Sequence, residues 1–123
     1  MVALHLQRGA AAEVLACAYL RSQGLTLVAR NLRCRAGEID IVCLDREVLV
    51  IVEVRQRARL AFGGGLASVT RHKQRKLIRA TQFQWQRHPG WRARVLRFDV
   101  IALHDRPGAP PELTWVKDAF RAG

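Results

Sequence analysis

Apolar and polar residues follow one another along the chain in segments that predict a mixed order of helices and strands. Residues 7–23 are rich in alanine and leucine and contain no proline, and Gly24 follows where a helix is expected to end. This segment predicts a first helix. Residues 25–30 are then largely apolar, as in a short strand, and residues 31–37 are polar and end in glycine, which predicts a loop.

Two neighbouring segments, 38–44 and 48–55, are rich in β-branched residues and are separated by the polar tripeptide Asp45-Arg46-Glu47. This arrangement is typical of a β-hairpin. The centres of both segments are apolar at successive positions, so both faces of the sheet should be buried. Helices on either side of the sheet meet that requirement, and the pattern therefore indicates an α/β layered fold.

The second half of the chain predicts one further helix. Residues 57–66 include three consecutive glycines but lack the G-K-[ST] of a P-loop, so they are expected to form a mobile loop. Thr70 is a suitable N-cap for a helix that runs to about Arg87. The remaining segments are expected to be a strand at 94–103, a proline-broken loop at 105–111 and a short last strand at 113–120.

The composition is that of a small globular protein. A length of 123 residues suits one domain, and 50% hydrophobic and 25% charged residues argue against a disordered or fibrous chain. No apolar run approaches the roughly 20 residues that span a bilayer. The three cysteines are odd in number and form no C-x-x-C pair, so neither a disulfide framework nor a zinc finger is expected. We expect a soluble, cytoplasmic protein with buried thiols.

The charge is strongly one-sided. Lysine and arginine number 21 against ten acidic residues, giving a formal net charge of +11, and 18 of the 21 cations are arginine. Because the guanidinium fork matches phosphate oxygens, nucleic acid is the favoured partner, ahead of an anionic membrane surface. The alternative is that arginine content reflects coding bias alone.

The position of the charges favours a binding surface. Residues 54–98 contain no acidic side chain but twelve of the cations, and on the second predicted helix Arg71, Arg75 and Arg79 recur every four residues. Like charges at this spacing repel, and a bound polyanion would relieve the repulsion. Phosphate contacts of this kind give affinity without sequence specificity. An ordinary solvated helix face is the alternative.

Three acidic residues interrupt the apolar hairpin strands. Glu38 and Asp40 share a strand face, and Glu53 meets that face from the next strand if the hairpin loop has an even number of residues. Buried carboxylates repel one another, and a hard divalent cation such as Mg²⁺ removes this cost. Glu13, on an apolar stripe of the first helix, is placed to reach the same site. The alternative is that arginines neutralise Asp40 and Glu53.

Six blocks of the sequence together resemble the YraN-type uncharacterised bacterial protein family, in order and in spacing. The blocks are Gly9 to Tyr19, Arg30 to Arg33, Gly37 to Asp40, Val52 to Arg57, Val69 to Leu77 and Arg97 to Val100. That family is similar to Holliday junction resolvases and to restriction-endonuclease-like PD-(D/E)XK nucleases. The resemblance implies one domain over residues 1–123, with a core at about 8–103 and a tail at 104–123. Its expected fold is a central mixed β-sheet flanked by helices.

The resemblance also implies roles for individual residues. It places the catalytic set on Glu13, Asp40, Glu53 and Arg55, and an Mg²⁺ or Mn²⁺ site on Asp40, Glu53, the main-chain carbonyl of Val54 and Glu13. Arg55 stands where these nucleases usually have lysine, and arginine cannot act as a base. Ile39 replaces the proline of the PD dipeptide, which changes little.

The function implied is metal-dependent hydrolysis of phosphodiester bonds in DNA, with branched or structured DNA as a candidate substrate. The residues expected to contact nucleic acid are Arg57, Arg59, Arg71, Lys73, Gln74, Arg75, Lys76 and Arg79. The rival hypothesis is a nucleic-acid-binding protein that keeps the nuclease fold without catalysis. Resolvase-like folds often act as dimers, so the resemblance also favours a homodimer, although nothing in the sequence establishes one.

Overall fold

A computed structural model describes residues 2–57 and 69–122 of the chain, with side chains described for 10–56 and 69–122. Arg59 and the triple glycine, where a mobile loop was predicted, lie outside the described residues, as does the side chain of Arg57.

The described residues form a five-stranded mixed sheet with one helix on each face. The elements are α1 (Val2–Ser22), β1 (Thr26–Cys34), β2 (Gly37–Asp45), β3 (Val48–Arg57), α2 (Arg71–Arg87), a 3₁₀ turn (Pro89–Trp91), β4 (Val95–Arg106) and β5 (Ala109–Phe120). The strands lie in the order β1-β2-β3-β4-β5, and all neighbours are antiparallel except β3 and β4. A parallel pair needs a long crossover, and α2 lies within that connection. The predicted α/β class is confirmed, and the architecture is compatible with a restriction-endonuclease-like fold.

The sheet is buried on both faces, as the apolar hairpin strands predict. On one face Ala16 and Leu20 of α1 pack over Val52 and its neighbours, and on the other Leu77 of α2 packs over Ile51 and its neighbours. Ile51 and Val52 are adjacent in sequence, point to opposite faces and are both fully buried. This arrangement requires a helix on each side of the sheet.

The turn between β2 and β3 sets the register of the acidic residues. Asp45 pairs with Val48, which leaves Arg46 and Glu47 as a two-residue turn. Arg46 has φ 57°, and two-residue hairpins favour positive φ at this position because it matches the twist of the strands. The number of turn residues is therefore even, which is the condition under which Asp40 and Glu53 share a face.

The predicted loop at 31–37 is wrong, because β1 continues to Cys34 and pairs there with Gly37 at the start of β2. β1 is an edge strand whose residues are alternately exposed, and polar side chains in such a strand resemble a loop in sequence. Asn31 has φ 53° within the strand, a conformation that asparagine tolerates better than most residues. The strand therefore bends there and continues.

The predicted loop at 105–111 is wrong except at its two turn residues, and the predicted last strand at 113–120 is confirmed but begins earlier, at Ala109. β4 and β5 form one long hairpin that turns at Pro107 and Gly108, with Gly108 at φ 66°. Pro110 and Pro111 lie within β5, which is an edge strand. Proline is tolerated there because outward-facing amides of an edge strand need no partner in the sheet.

Two other expectations concern the helices and the thiols. Thr70 is the N-cap of α2, as predicted, and its side chain accepts a hydrogen bond from the amide of Lys73 at 3.2 Å. Cys17 and Cys43 are buried and Cys34 is half-buried, and all three thiols are free. Neither of the two helices in the described ranges combines the length and apolar character needed to cross a bilayer.

Candidate active site

Asp40 and Glu53 face each other where the β2 and β3 strands separate. The last paired residues of this ladder are Ile41 and Val52, and the next residue on each strand carries one of the two carboxyl groups. The Val54 amide donates a hydrogen bond to Asp40 Oδ2 at 2.9 Å, and the two carboxyl groups are hydrogen-bonded to each other. The structure thus brings the two acids together on adjacent strands.

An interruption of strand alternation places Asp40 between the two faces of the sheet. Ile39 packs on the α2 side and Ile41 on the α1 side, although residues two apart in a regular strand share a face. Asn31, with its positive φ, lies opposite this point on β1. The bend allows Asp40 to approach both Glu53 and the helix on the other face.

Glu13 of α1 and Glu38 of β2 complete a cluster with Asp40. Each of the three side chains offers a carboxylate oxygen, and these oxygens lie within 4.8 Å of one another. The sequence predicted Glu13 as a site residue and placed Glu38 on the strand face of Asp40, but Glu38 was not among the predicted metal ligands. The signal for Glu38 was present, because it lies two residues before Asp40 on the same strand.

The surroundings disfavour the charged forms of Asp40, Glu53 and Glu13. Burial, followed by the charge of Glu53, raises the pKa of Asp40 to about 8. Burial likewise raises the pKa of Glu53, and burial with the charges of Asp40 and Glu38 raises the pKa of Glu13. The cluster is therefore under-neutralised by the protein itself.

Arginines lie at the edge of the cluster, in loose contact with it. Arg30 Nη2 lies 3.5 Å from Glu13 Oε1, and Arg55 Nη1 lies 3.5 Å from Glu53 Oε2. The buried Nε of Arg30 has no hydrogen-bond partner in the described part of the chain. Asp40 forms no ion pair with any residue that the structure describes. Neutralisation by arginine, the alternative reading of these acids, is thus incomplete.

Asp99, in the same sheet, is a buried acid whose charge is fully compensated by hydrogen bonds from the protein. Its side chain is completely buried and accepts hydrogen bonds from Arg97 Nε at 2.8 Å and Arg97 Nη2 at 2.9 Å. Trp115 Nε1 and the Asp118 amide each donate a further bond at 3.0 Å. All four bonds come from the protein, so this acid is structural and differs in kind from Asp40.

A cavity of about 180 Å³ opens beside Glu53 on the α2 side of the sheet. Its lining combines carboxylates with cations and consists of Gly37, Glu38, Glu53, Arg55, Lys73, Lys76 and Leu77. Two of the predicted nucleic-acid contacts, Lys73 and Lys76, therefore lie at the carboxylate cluster itself. An anion that enters this cavity meets both cationic side chains and carboxylate oxygens.

The other predicted contacts on α2 divide into two groups. Arg71, Arg75 and Arg79 are exposed and form a basic row along the outer face of the helix. Gln74 Nε2 instead donates a hydrogen bond to the Val69 carbonyl at 3.0 Å, which fixes the start of the helix. The structure therefore gives Gln74 a structural partner and leaves the arginine row facing solvent.

Comparison with known proteins identifies the family. The family model described as "Uncharacterised protein family UPF0102" matches residues 12–103. The chain belongs to the UPF0102 family. A UPF0102 protein of Xanthomonas campestris is 49% identical over 121 residues, covering 98% of this chain and 97% of that protein. A UPF0102 protein of Nitrosococcus oceani is 45% identical over 119 residues, covering 97% and 95%, and one of Pseudomonas putida is 46% identical over 112 residues, covering 91% of each.

The UPF0102 match spans the whole carboxylate cluster. Residues 12–103 include Glu13 of α1, the acidic residues of β2 and β3, and all of α2, whereas β5 lies beyond the matched range. The resemblance to the YraN-type family is thereby confirmed.

The donor set of the UPF0102 cluster suits a hard divalent cation. Every side-chain donor is a carboxylate oxygen, which Mg²⁺ and Mn²⁺ prefer, and the donors come from a helix and two strands. Asp40, Glu53, Glu38 and Glu13 are the side chains that could hold such an ion. Val54, also assigned to the metal site, contributes its amide to Asp40 and its side chain to the α1-side core.

The raised pKa of Asp40 predicts an unusual pH dependence of stability. Its pKa of about 8 in the folded state exceeds the ordinary value of 3.8, so the native state holds this proton more tightly than the unfolded chain does. The resulting stabilisation is complete below about pH 4 and is lost as pH rises through about 8. We expect the free energy of unfolding of the metal-free protein to fall over this range, with a slope of at most about 1.4 kcal/mol per pH unit.

Urea unfolding with a chelator present, followed by circular dichroism between pH 5 and 9, measures this dependence. The Asp40→Asn variant should show a much flatter profile, and Glu47→Gln, at a side chain that is 96% exposed, should match the wild type. Equal slopes for Asp40→Asn and the wild type would contradict the assignment.

Proposed function

We propose that this UPF0102 protein is a Mg²⁺-dependent endonuclease that hydrolyses phosphodiester bonds in DNA. The observation that carries the proposal is the convergence of Glu13, Glu38 and Asp40, with Glu53 next to Asp40, beside a cavity lined with cations; burial disfavours the charged forms of Glu13, Asp40 and Glu53. Clusters of this kind store electrostatic repulsion that a bound cation relieves. A structural acid such as Asp99 has no such requirement.

The metal would be held by Asp40 and Glu53, with Glu13, Glu38 and the main-chain carbonyl of Val54 as further donors. A bound Mg²⁺ supplies charge neutralisation of the phosphate and a water of lowered pKa. The protein itself holds the carboxyl groups in position. The hydrogen bond from the Val54 amide fixes one oxygen of Asp40, and the Asp40 carboxyl group is also hydrogen-bonded to that of Glu53.

Arg55 is placed to stabilise negative charge, because it lines the cavity next to Glu53 and only 20% of its side chain is exposed. Its guanidinium keeps its charge at any physiological pH, so it cannot accept a proton from water. Arg55 is therefore suited to the added charge of a pentavalent phosphate and unsuited to the role of base.

The basic row on α2 is the proposed DNA-binding surface. Arg71, Arg75 and Arg79 are exposed along the helix whose first turn lines the cavity. Contacts from this row to the DNA backbone would hold the duplex or a branch across the carboxylate cluster without reading its sequence. A cytoplasmic location and a homodimer on symmetric DNA are consistent extensions of the proposal.

A second candidate is a nucleic-acid-binding protein without catalytic activity. The observation that favours it is Arg55, which occupies the usual lysine position and contacts Glu53 at 3.5 Å. This candidate predicts DNA binding that neither needs a metal nor leads to cleavage.

Cleavage assays and calorimetry distinguish the two candidates. The purified protein is incubated with Mg²⁺ or Mn²⁺ and with duplex, single-stranded or branched DNA, and Mg²⁺ binding is measured separately by titration calorimetry. We expect cleavage of at least one DNA form and heat of Mg²⁺ binding for the wild type, and neither for Asp40→Ala. Glu47→Ala, which removes an exposed acid outside the cluster, should retain both.

Each negative result is informative. DNA binding without cleavage by the wild type would favour the non-catalytic candidate, and cleavage by Asp40→Ala at the wild-type rate would assign the activity to a contaminant.

The arginine row predicts a measurable salt dependence. Each phosphate contact contributes about 0.9 to the slope of log affinity against log salt concentration for duplex DNA. Replacing Arg75 with alanine should lower that slope by about one unit and weaken binding to all sequences alike. Arg121→Ala is the control, because Arg121 follows β5, is 81% exposed and pairs with Asp118. An unchanged slope for Arg75→Ala, measured by fluorescence anisotropy, would remove the row from the interface.

A further inference from the structure

Lysine is rare in this chain, and its distribution is uneven. The sequence has 18 arginines but three lysines, at positions 73, 76 and 117. Lys73 and Lys76 both line the cavity beside Glu53. Lys117 lies apart from it on β5, with its Nζ 4.5 Å from the centre of the Trp115 ring. The chain thus uses arginine for most of its positive charge and places two of its three lysines at the carboxylate cluster.

Local structure holds Lys73 in the first turn of α2. Its amide donates a hydrogen bond to the Thr70 side chain at 3.2 Å. Val69, which precedes Thr70, is buried, and its carbonyl accepts a hydrogen bond from the Gln74 side chain. Leu77, one turn later on the same side of the helix, is 5% exposed and packs against the sheet. The side of α2 that carries Lys73 is therefore fixed toward the cavity.

Lysine and arginine differ in the geometry of what they can bind. The planar guanidinium of Arg55 suits a carboxylate, and Arg55 contacts Glu53. An ammonium group is compact and has three donors in a tetrahedral arrangement, so it can contact a water and a phosphate oxygen at the same time. This geometry lets one side chain align an attacking water with the phosphate that it attacks.

We propose that Lys73 is the catalytic lysine of this site and that its ammonium group contacts both the attacking water and the reacting phosphate, while Arg55 stabilises negative charge from beside Glu53. Lys76, one turn further along α2, holds an adjacent non-reacting phosphate. The inference rests on the proposed nuclease function and assigns within it the residue that aligns the attacking water with the phosphate.

The reaction adds one water across one phosphodiester bond. The water oxygen forms a bond to phosphorus while the bond from phosphorus to the 3′ oxygen breaks, leaving a 5′-phosphate. The water loses one proton and the 3′ oxygen gains one, both exchanged with solvent. Lys73 donates hydrogen bonds to the water oxygen and to a non-bridging phosphate oxygen, and so aligns the two reactants and stabilises the charge that develops.

Steady-state kinetics separates the roles of the lysines. Lys73→Ala should lower kcat about 10² to 10³-fold with little change in KM, whereas Lys76→Ala should mainly raise KM. Lys117→Ala should change neither. The double variant Arg55→Lys with Lys73→Ala should recover at least about tenfold of the lost kcat, because positions 55 and 73 line the same cavity. Circular dichroism checks that each variant is folded.

A second readout does not depend on activity. Reductive methylation with ¹³C-formaldehyde labels the three lysines for NMR, and the single lysine variants assign their signals. Addition of Mg²⁺ with a dinucleoside monophosphate should move the signals of Lys73 and Lys76 and leave that of Lys117 in place. A stationary Lys73 signal beside a moving Lys76 signal would overturn the proposal.

The two proposals fail in different ways. A wild type that cleaves no DNA with either metal removes the nuclease function and the role of Lys73 with it. A wild type that cleaves DNA, with kcat unchanged in Lys73→Ala, removes the role of Lys73 alone.

Discussion

Replacing Glu53 with glutamine is expected to lower metal-dependent DNA cleavage about 10³-fold while making the metal-free protein more resistant to urea. The loss follows because the neutral amide is a poor ligand for Mg²⁺ and removes one of the two carboxylates that face each other between β2 and β3. The gain in stability follows because burial raises the pKa of Glu53, so its ionised form is unfavourable in the folded protein. Glutamine has nearly the same shape and no charge.

The opposite signs of the two effects make this prediction specific. Cleavage of labelled DNA and urea unfolding with a chelator are measured on the same preparations, with Glu47→Gln as the matched control. Glu47 lies in the β2–β3 turn and is 96% exposed, so its replacement should change neither quantity appreciably. A Glu53→Gln variant that lost both activity and stability would indicate a structural role for Glu53 instead.

Replacing Asp99 with asparagine is expected to destabilise the protein by about 3 to 5 kcal/mol. Asp99 is fully buried and accepts four hydrogen bonds, two of them from Arg97. Asparagine keeps the shape but places an N–H donor where a carboxylate oxygen accepts bonds from Arg97 and Trp115 or Asp118. The guanidinium then stays partly buried with only Asp45 as an acidic partner. A carboxylate whose partners are all supplied by the protein should behave in this way.

Urea unfolding monitored by circular dichroism measures this loss, and we expect the melting temperature to fall by about 10 °C or more. Glu47→Ala breaks an exposed ion pair with Arg94 and should cost less than about 1 kcal/mol. A small effect of Asp99→Asn, comparable with that of Glu47→Ala, would show that the network around Arg97 is not a structural centre of the sheet.

The contrast between Asp99 and Glu53 separates structure from function among acids in similar sequence surroundings. Both interrupt apolar strands, and neither composition nor strand pattern distinguishes them. Asp99 lies beside Arg97, and the long β4–β5 hairpin brings Trp115 and Asp118 to it. Glu53 lies at the end of a ladder with another acid opposite. Replacing the carboxylate with the corresponding amide should therefore stabilise the protein at position 53 and destabilise it at position 99.

Local patterns accounted for the central elements of the fold. The apolar runs of β2 and β3 required burial on both faces, and the short polar turn between them left few registers open. A two-residue turn brings Asp40 opposite Glu53, because both follow the last pair of the ladder, Ile41 and Val52. Thr70 identified the start of α2 because a hydroxyl at the N-cap satisfies a free amide of the first turn.

The edge strands were predicted too short for a physical reason. β1 and β5 each have a neighbour on one side only, so their polar residues, and the prolines of β5, are compatible with both strand and loop. The bend at Asn31 is likewise invisible in sequence, because a residue with positive φ can end a strand or lie within one.

The sequence alone determined the α/β class, the burial of the sheet on both faces and the two carboxylates of the hairpin, since these depend on residues close together in the chain. Only the tertiary structure decided which acids are neutralised, that Glu38 joins Glu13 and Asp40, and that Lys73 faces the same cavity as Glu53. Charges act through space, and the residues that meet at this cluster come from a helix, two strands and the first turn of a second helix. Their separations are set by packing across the whole domain.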